Sequence, residues 1–364
     1  MKNRIEWGIM GVFFGLTFVS AQSSLVVNDD RMLALRADSL LEESIDRGEH
    51  VGISGGIYCD GRILWENGAG WSDREAGTPM TTNSVLRIAS ITKSMTAVGI
   101  MQLAEKGMID LDEPIQTYLP QFPVKPEGAI TVRHLLTHTS GIKHYQGTRD
   151  GFSRRQYPDL PAALKRFQDR ELAGEPGKVY QYSTYGYVLL GAILEKVSGM
   201  TYEDFMQKHI WGPAGMLSTS VEHKDDQVDH KSRLYRISKK RKLKKDLNTN
   251  LSMKIPGGGV QSTAEDLLHF GEALMTGKLL KQETLNLMLT DPGIRKEGNP
   301  YGMGWFLYST APGNRIIGHS GSQAGASSQL LILLDKKAVV ICISNTRGSW
   351  NELFGLTWQL AGLF

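Results

Sequence analysis

β-Prone segments lie at both ends of this chain, and a long stretch patterned for helices lies between them. Near the N-terminus, Ile53-Ser54-Gly55-Gly56-Ile57-Tyr58 is followed by Asp60-Gly61 and then Arg62-Ile63-Leu64-Trp65. Asp-Gly between two such runs signals a tight hairpin turn. Near the C-terminus, residues 305–308, 315–318, 329–334 and 338–344 read as strands, and an amphipathic helix is expected over about 351–363. In between, 111–119, 131–136, 160–170 and 185–197 have helical patterning. A further helix over 264–275 has Ser262 or Thr263 as its N-cap. One sheet built from both chain ends, with a mostly helical region inserted, satisfies this order. The expectation is an α+β sandwich in which helices flank an antiparallel sheet. Its sheet part takes about 32–92 and 255–364, and its helical part about 93–254.

Composition narrows the function classes. Of 364 residues, 41% are hydrophobic and 22% charged, which excludes a disordered, coiled-coil or collagen-like chain. A net charge of +3 is too balanced for nucleic acid to be the main partner. The balance is uneven, because nine of the 41 basic residues fall within 231–245, leaving 32 against 38 acidic residues elsewhere. That basic run reads as a solvated hairpin or loop. It leaves room for contact with the cell envelope or a membrane surface.

The first 21 residues read as a secretory leader. Lys2 and Arg4 precede an uncharged run from Trp7 to Val19, and Val19-Ser20-Ala21 offers small residues for cleavage. The uncharged run is shorter than the about 20 residues of a spanning helix, so cleavage is favoured over a retained anchor. The expected location is periplasmic or secreted. Cys59 and Cys342, the only cysteines, both sit in strand-like runs. Export would permit a disulfide, but two buried free thiols are the preferred reading, and no CxxC pair suggests a metal.

The strongest chemical signal is Ser90-Ile91-Thr92-Lys93, which opens a helix that Gly107 ends. Three residues turn a helix by about 300°, so Ser90 and Lys93 share a face. A serine hydroxyl needs a neighbouring base to become a nucleophile. A lysine can serve only if burial or other cations lower its pKa. Two further pieces accompany this pair. Tyr182-Ser183-Thr184 precedes a helix, and His319-Ser320-Gly321 ends a strand-like run. Their order parallels the S-x-x-K, S-D-N and K-T-G set of penicillin-binding proteins and class A β-lactamases, although the second and third elements differ.

With these motifs the chain resembles the β-lactamase-related serine hydrolases, the superfamily of class C β-lactamases and D,D-peptidases. Further matching segments are 130–141, Gly257-Gly258-Gly259 followed by 262–267, and Tyr301-Gly302-Met303-Gly304-Trp305. The match is strongest to the mitochondrial branch and its bacterial relatives. The resemblance implies that Ser90 is acylated and that Lys93 helps to activate it. Tyr182 would act as general base and later return a proton to the leaving group. His319 would stand where many relatives carry Lys and tune Tyr182. The backbone N–H groups of Ser90 and Ser322 would form the oxyanion hole, where such donors contribute about 3 kcal/mol each. Thr184, Ser320, Gly321 and Ser322 would line the substrate site. No cofactor and no metal are implied.

Two departures bear on the substrate. Thr184 stands where the family pattern has Asn, so one hydroxyl replaces a carboxamide. His319 in place of Lys predicts a site charge that varies with pH near neutrality. Peptidase or esterase activity on peptides, D-amino-acid amides or esters is therefore favoured over efficient β-lactam hydrolysis. The alternative is a non-catalytic scaffold that keeps the fold and assembles into filaments, and a homo-oligomer fits either reading.

Other motifs weigh less. Gly52-Ile53-Ser54-Gly55-Gly56 has the spacing of a nucleophile elbow but is followed by a second strand, so Ser54 reads as structural. His134 and His138 are four apart without the Glu of a zinc helix, and read as local hydrogen-bonding residues. Gly257 to Gly259 read as close chain packing beside the site.

Overall fold

The computed structural model describes residues 16–238, 240, 242–294 and 300–364, with side chains described from 29 onward except at 148 and 149. Most of the expected leader, residues 1–15, lies outside the described residues. A helix runs from Leu16 to Asp46. Among the described residues no helix is long and apolar enough to cross a membrane.

The strands, in chain order, are β1 (Gly52–Cys59), β2 (Arg62–Asp73), β3 (Thr78–Pro79), β4 (Leu86–Arg87), β5 (Ser220–Val221), β6 (Tyr235–Ile237) and β7 (Leu243–Lys245). They continue as β8 (Val260–Ser262), β9 (Phe306–Ser309), β10 (Ile316–Gln323), β11 (Ala326–Leu333), β12 (Ala338–Ser344) and β13 (Thr346–Arg347). The main sheet has seven strands in the order β3-β2-β1-β12-β11-β10-β9. Its central pairing, β1 against β12, joins the two ends of the chain antiparallel, with Ile57 opposite Val340. Asp60 and Gly61 both take positive φ, 46° and 91°, which suits a primed two-residue turn between β1 and β2.

Helices cover both faces. The Ala264–Met275 helix packs on β1 and β12, while the Leu16–Asp46 and Trp350–Ala361 helices cover the opposite face. Thr263 caps the first of these by accepting from the Asp266 N–H. Gly271 lets that helix approach the sheet, since a Cβ there would meet Val339 Cγ1 at 2.7 Å. With both faces covered, β11 and β12 are buried along their whole length rather than alternating.

Three expectations need correction. The helices over 111–119 and 160–170 shrink to Ile115–Thr117 and Leu160–Leu164. Pro114 and Pro120 bracket the first, and after Leu164 the second tightens into i→i−3 turns, such as Arg170 N–H to Phe167 O. His319-Ser320-Gly321 lies inside β10 rather than at a strand end. Ser320, Gly321 and Ser322 pair with Gln329, Ser328 and Ser327, so cross-strand pairing extends a run of low β-propensity.

Cys342 faces Gly55 and Cys59 faces Ala338, four positions apart along the register, and both thiols are free. In the basic run, β6 and β7 form a hairpin. Among the described residues, cations of this run meet acids as Lys231 with Glu222, Arg233 with Asp73, Arg236 with Asp246 and Lys245 with Glu75.

A buried ion pair fixes the chain leading to the S-x-x-K segment. Arg87 on β4 donates to both carboxylate oxygens of Glu222, at 2.7 and 2.6 Å, and also to Ala324 O and Thr249 O. Burial opposes ionisation of Glu222, yet the hydrogen bonds and charge of Arg87 hold its carboxyl below the ordinary range. Its stabilisation is therefore full above the unfolded carboxyl pKa and is lost as pH falls through the lowered folded value. Arg87→Met should leave the buried carboxylate with only the longer Lys231 contact at 3.5 Å and cost about 3–5 kcal/mol at neutral pH. Denaturation across pH would check this, because the penalty should shrink on acidification as Glu222 takes up a proton. A pH-independent penalty would contradict the assignment.

Candidate active site

Ser90 lies in a single 3-10 turn, Ala89–Ile91, that feeds the Thr92–Glu105 helix. Ala89 holds φ +49°, a left-handed conformation that a side chain adopts at a cost. Gly321 of β10 packs directly on this turn. A Cβ there would meet Ile88 O at 2.6 Å and Ala89 Cβ at 2.9 Å. The sheet and the turn can touch this closely only because position 321 has no side chain. On the other side Gly258 faces Ala89, and a Cβ on Gly257 would meet Thr184 Cγ2 at 2.6 Å. The Gly257–Gly259 run is thus close packing around the serine, as its sequence suggested.

Lys93 is completely buried. Its Nζ stands 3.0 Å from Ser90 Oγ and 2.5 Å from Gly257 O, and 5.1 Å from the centre of the Tyr182 ring. Burial, reinforced by the nearby Lys254 cation, pushes the Lys93 ammonium well below its ordinary range. Tyr182 moves the other way: burial raises its phenol, partly offset by a hydrogen bond with the Ser90 side chain. Burial thus disfavours both the ammonium of Lys93 and the phenolate of Tyr182. Tyr182 is held just before the Thr184–Ser198 helix, whose N-cap is Ser183. His138 supports it from behind, with ring centres 4.2 Å apart and its Nδ1 accepting from the Ser183 N–H. His134 instead completes a capping box with Thr131 at the start of its own short helix.

His319 differs from expectation. It is completely buried, its Nε2 is 3.0 Å from Tyr301 Oη, and its Nδ1 is 2.7 Å from Ser320 O. Its ring centre is 6.4 Å from that of Tyr182. Burial, with Lys93 adding repulsion, lowers its pKa to about 3. His319 is thus neutral near pH 7, and the expected change of charge at this position near neutrality is overturned. Its hydrogen-bond partner is Tyr301.

A cavity of about 340 Å³ opens over Ser90. Ser320, Gly321, Ser322 and Gln323 form one wall. His144, Tyr145, Tyr182, Thr184 and Lys254 line it as well, with Phe306 and Trp350 adding apolar surface. Among the described residues, no Asp or Glu lines this cavity. Thr184 reaches the same space, and its backbone N–H donates to His144 Nδ1 at 3.1 Å.

Ser90, Lys93 and Tyr182 come together, and Thr184 and Ser320 to Ser322 line the same space. Lys254, Tyr145, His144, Tyr301 and Arg87 were not anticipated as parts of the site. Tyr301 lay within a matching segment, and Lys254 stands three residues before the Gly run. His144, Tyr145 and Arg87 carry no sequence signal, since only the folded chain brings them here.

The family model described as Beta-lactamase matches residues 37–361. Serine beta-lactamase-like protein LACTB, mitochondrial, of Mus musculus is 32% identical over 82% of this chain and 73% of its own length. The octameric penicillin-binding protein homologue from Pyrococcus abyssi superposes with a TM-score of 0.79 at 29% identity, covering 90% of this chain and 76% of that one. D-amino acid amidase from Ochrobactrum anthropi SV3, complexed with L-phenylalanine amide, gives a TM-score of 0.79 at 26% identity, covering 91% and 98%.

Proposed function

The chain belongs to the β-lactamase family of serine hydrolases, and from that premise we propose that it cleaves amides or esters through an acyl-enzyme at Ser90. The observation that carries this reading is the buried Lys93 Nζ at 3.0 Å from Ser90 Oγ. Lys93, its ammonium disfavoured by burial, accepts the Ser90 proton in its amine form as Oγ attacks the carbonyl carbon. The new oxyanion is held by the N–H groups of Ser90 and Ser322. Tyr182 relays the proton to the departing amine or alcohol. Water then attacks the ester carbonyl and releases the acid, with Lys93 and Tyr182 moving the proton in the opposite sense. His319 acts through Tyr301, as a neutral positioning residue.

The substrates we propose are peptides, D-amino-acid amides and simple esters. The amidase and penicillin-binding neighbours support that range. With one hydroxyl at Thr184 in place of a carboxamide, the grip on a substrate amide is weak at that point, which supports β-lactams as poor substrates. Export through the leader at 1–21 belongs to the same proposal. Turnover of D-alanyl peptides, D-amino-acid amides, short esters and a chromogenic cephalosporin would be compared in the wild type and Ser90→Ala. Esters or amides should turn over fastest, and only in the wild type. Equal rates in the two proteins would end the proposal.

A further inference from the structure

Lys254 ends the short Ser252–Lys254 turn and lines the cavity over Ser90, yet it is only 6% exposed. Among the described residues its Nζ makes no hydrogen bond and no ion pair. The close contact it has is the face of the Tyr145 ring, 5.7 Å away. A buried ammonium without a counter-ion is expensive, and chains seldom keep one without use. Glu222 is nearby but is bound at both oxygens by Arg87 and also meets Lys231. Lys93 is committed to Ser90 and Gly257 O. The cavity thus holds one unpaired cation and, among its described lining residues, no acid.

We propose that Lys254 anchors an anionic substituent of the substrate, so that this hydrolase selects acyl compounds carrying a carboxylate-like group beside the scissile carbonyl. This rests on the hydrolase reading and adds to it the charge of the substrate. Apart from Lys254, neither the cavity walls nor their immediate supports offer an uncommitted charge for that group. His144 is held neutral, at about 4, by burial and by the charges of Lys93 and Lys254. Burial pushes the Tyr145 phenol up, which keeps it protonated.

The groups that face Lys254 set how its charge responds to pH. They are Arg87 and Glu222, whose charges act on it, Lys93 from the Thr92–Glu105 helix, and His144 and Tyr145 from the segment after Gly141. Burial and the Arg87 charge lower the Lys254 ammonium to about 7, with Glu222 opposing. The cation is present below that value and fades above it, so the preference for anions should weaken as pH rises.

The test pairs substrates of equal length that differ only in charge. One arm compares the mono-p-nitrophenyl ester of glutarate with p-nitrophenyl valerate, placing the charge on the acyl group. The other compares N-acetyl-D-alanyl-D-alanine with its C-terminal amide, placing it on the leaving group. In the wild type at about pH 6.5, kcat/KM should favour the charged member of at least one pair by about tenfold, or about 1.4 kcal/mol, chiefly through KM. Lys254→Met should erase that preference and Lys254→Arg should restore part of it. In the wild type the preference should fall several-fold between about pH 6 and 8.5, which tests the inference even where a Lys254 variant does not fold. Equal kcat/KM within both wild-type pairs, or a preference that survives in Lys254→Met, would overturn it. Labelling of Ser90 by a fluorophosphonate separates the two failures. Without labelling, the hydrolase reading falls and takes this inference with it. With labelling but no preference, only the inference falls.

Discussion

Lys93→Met should slow acylation of Ser90 by about 10³-fold, within the range that a positioned general base contributes. Methionine nearly conserves the volume of the lysine stem, so the fully buried position stays filled. What disappears is the amine at 3.0 Å from Ser90 Oγ, together with its bond to Gly257 O. Because burial lowers the Lys93 pKa, loss of its charge removes little that the resting site relied on. Thermal stability should therefore change far less than rate. Stopped-flow acylation with an activated ester would measure the rate, and melting curves the stability. A variant that acylates within about tenfold of the wild type would assign the base to another group. The lowered Lys93 pKa also predicts that the wild-type rate levels off at a lower pH than it would with an amine of ordinary pKa, which would still be gaining activity well above neutrality.

Gly321→Ala should be nearly as damaging, for a geometric reason. The added methyl would collide with the Ser328 hydroxyl, with Ile88 O at 2.6 Å and with Ala89 Cβ at 2.9 Å. Ile88 O is backbone and cannot swing aside, so the Ala89–Ile91 turn must move away from β10. That displacement separates the N–H of Ser90 from the N–H of Ser322, the two donors proposed for the oxyanion. Losing one such donor costs about 10²–10³ in rate, and overpacking adds about 1–3 kcal/mol of destabilisation. Trimming Ser328 as well should not rescue activity, because the backbone clash remains. Full activity in Gly321→Ala would show that the turn and the strand need not touch for catalysis.

How much of this was legible in the sequence depended on how local each signal was. The β1–β2 hairpin, the Ala264–Met275 helix with its Thr263 cap, and the S-x-x-K pair were all readable, because each rests on spacing within a few residues. The end-to-end sheet was inferred from the order of elements, and β1 does pair with β12. His319-Ser320-Gly321 was read as the end of a strand-like run, whereas pairing with β11 carries the strand on to Gln323. His319 was read as a titrating cation because an isolated imidazole titrates near neutrality. Its burial and its bond to Tyr301 reverse that, and neither is visible along the chain. Lys254 and Arg87 escaped for the same reason, since their roles depend on partners more than a hundred residues away or on having none.

The central claim is that Ser90 becomes covalently acylated. The direct measurement is intact-protein mass spectrometry after brief exposure to benzylpenicillin and to a fluorophosphonate, followed by peptide mapping. The account predicts one adduct per chain from each reagent, mapped to Ser90, strongly diminished in Lys93→Met and absent in Ser90→Ala. An adduct on another residue, or an unmodified wild-type protein that still hydrolyses its esters, would contradict it.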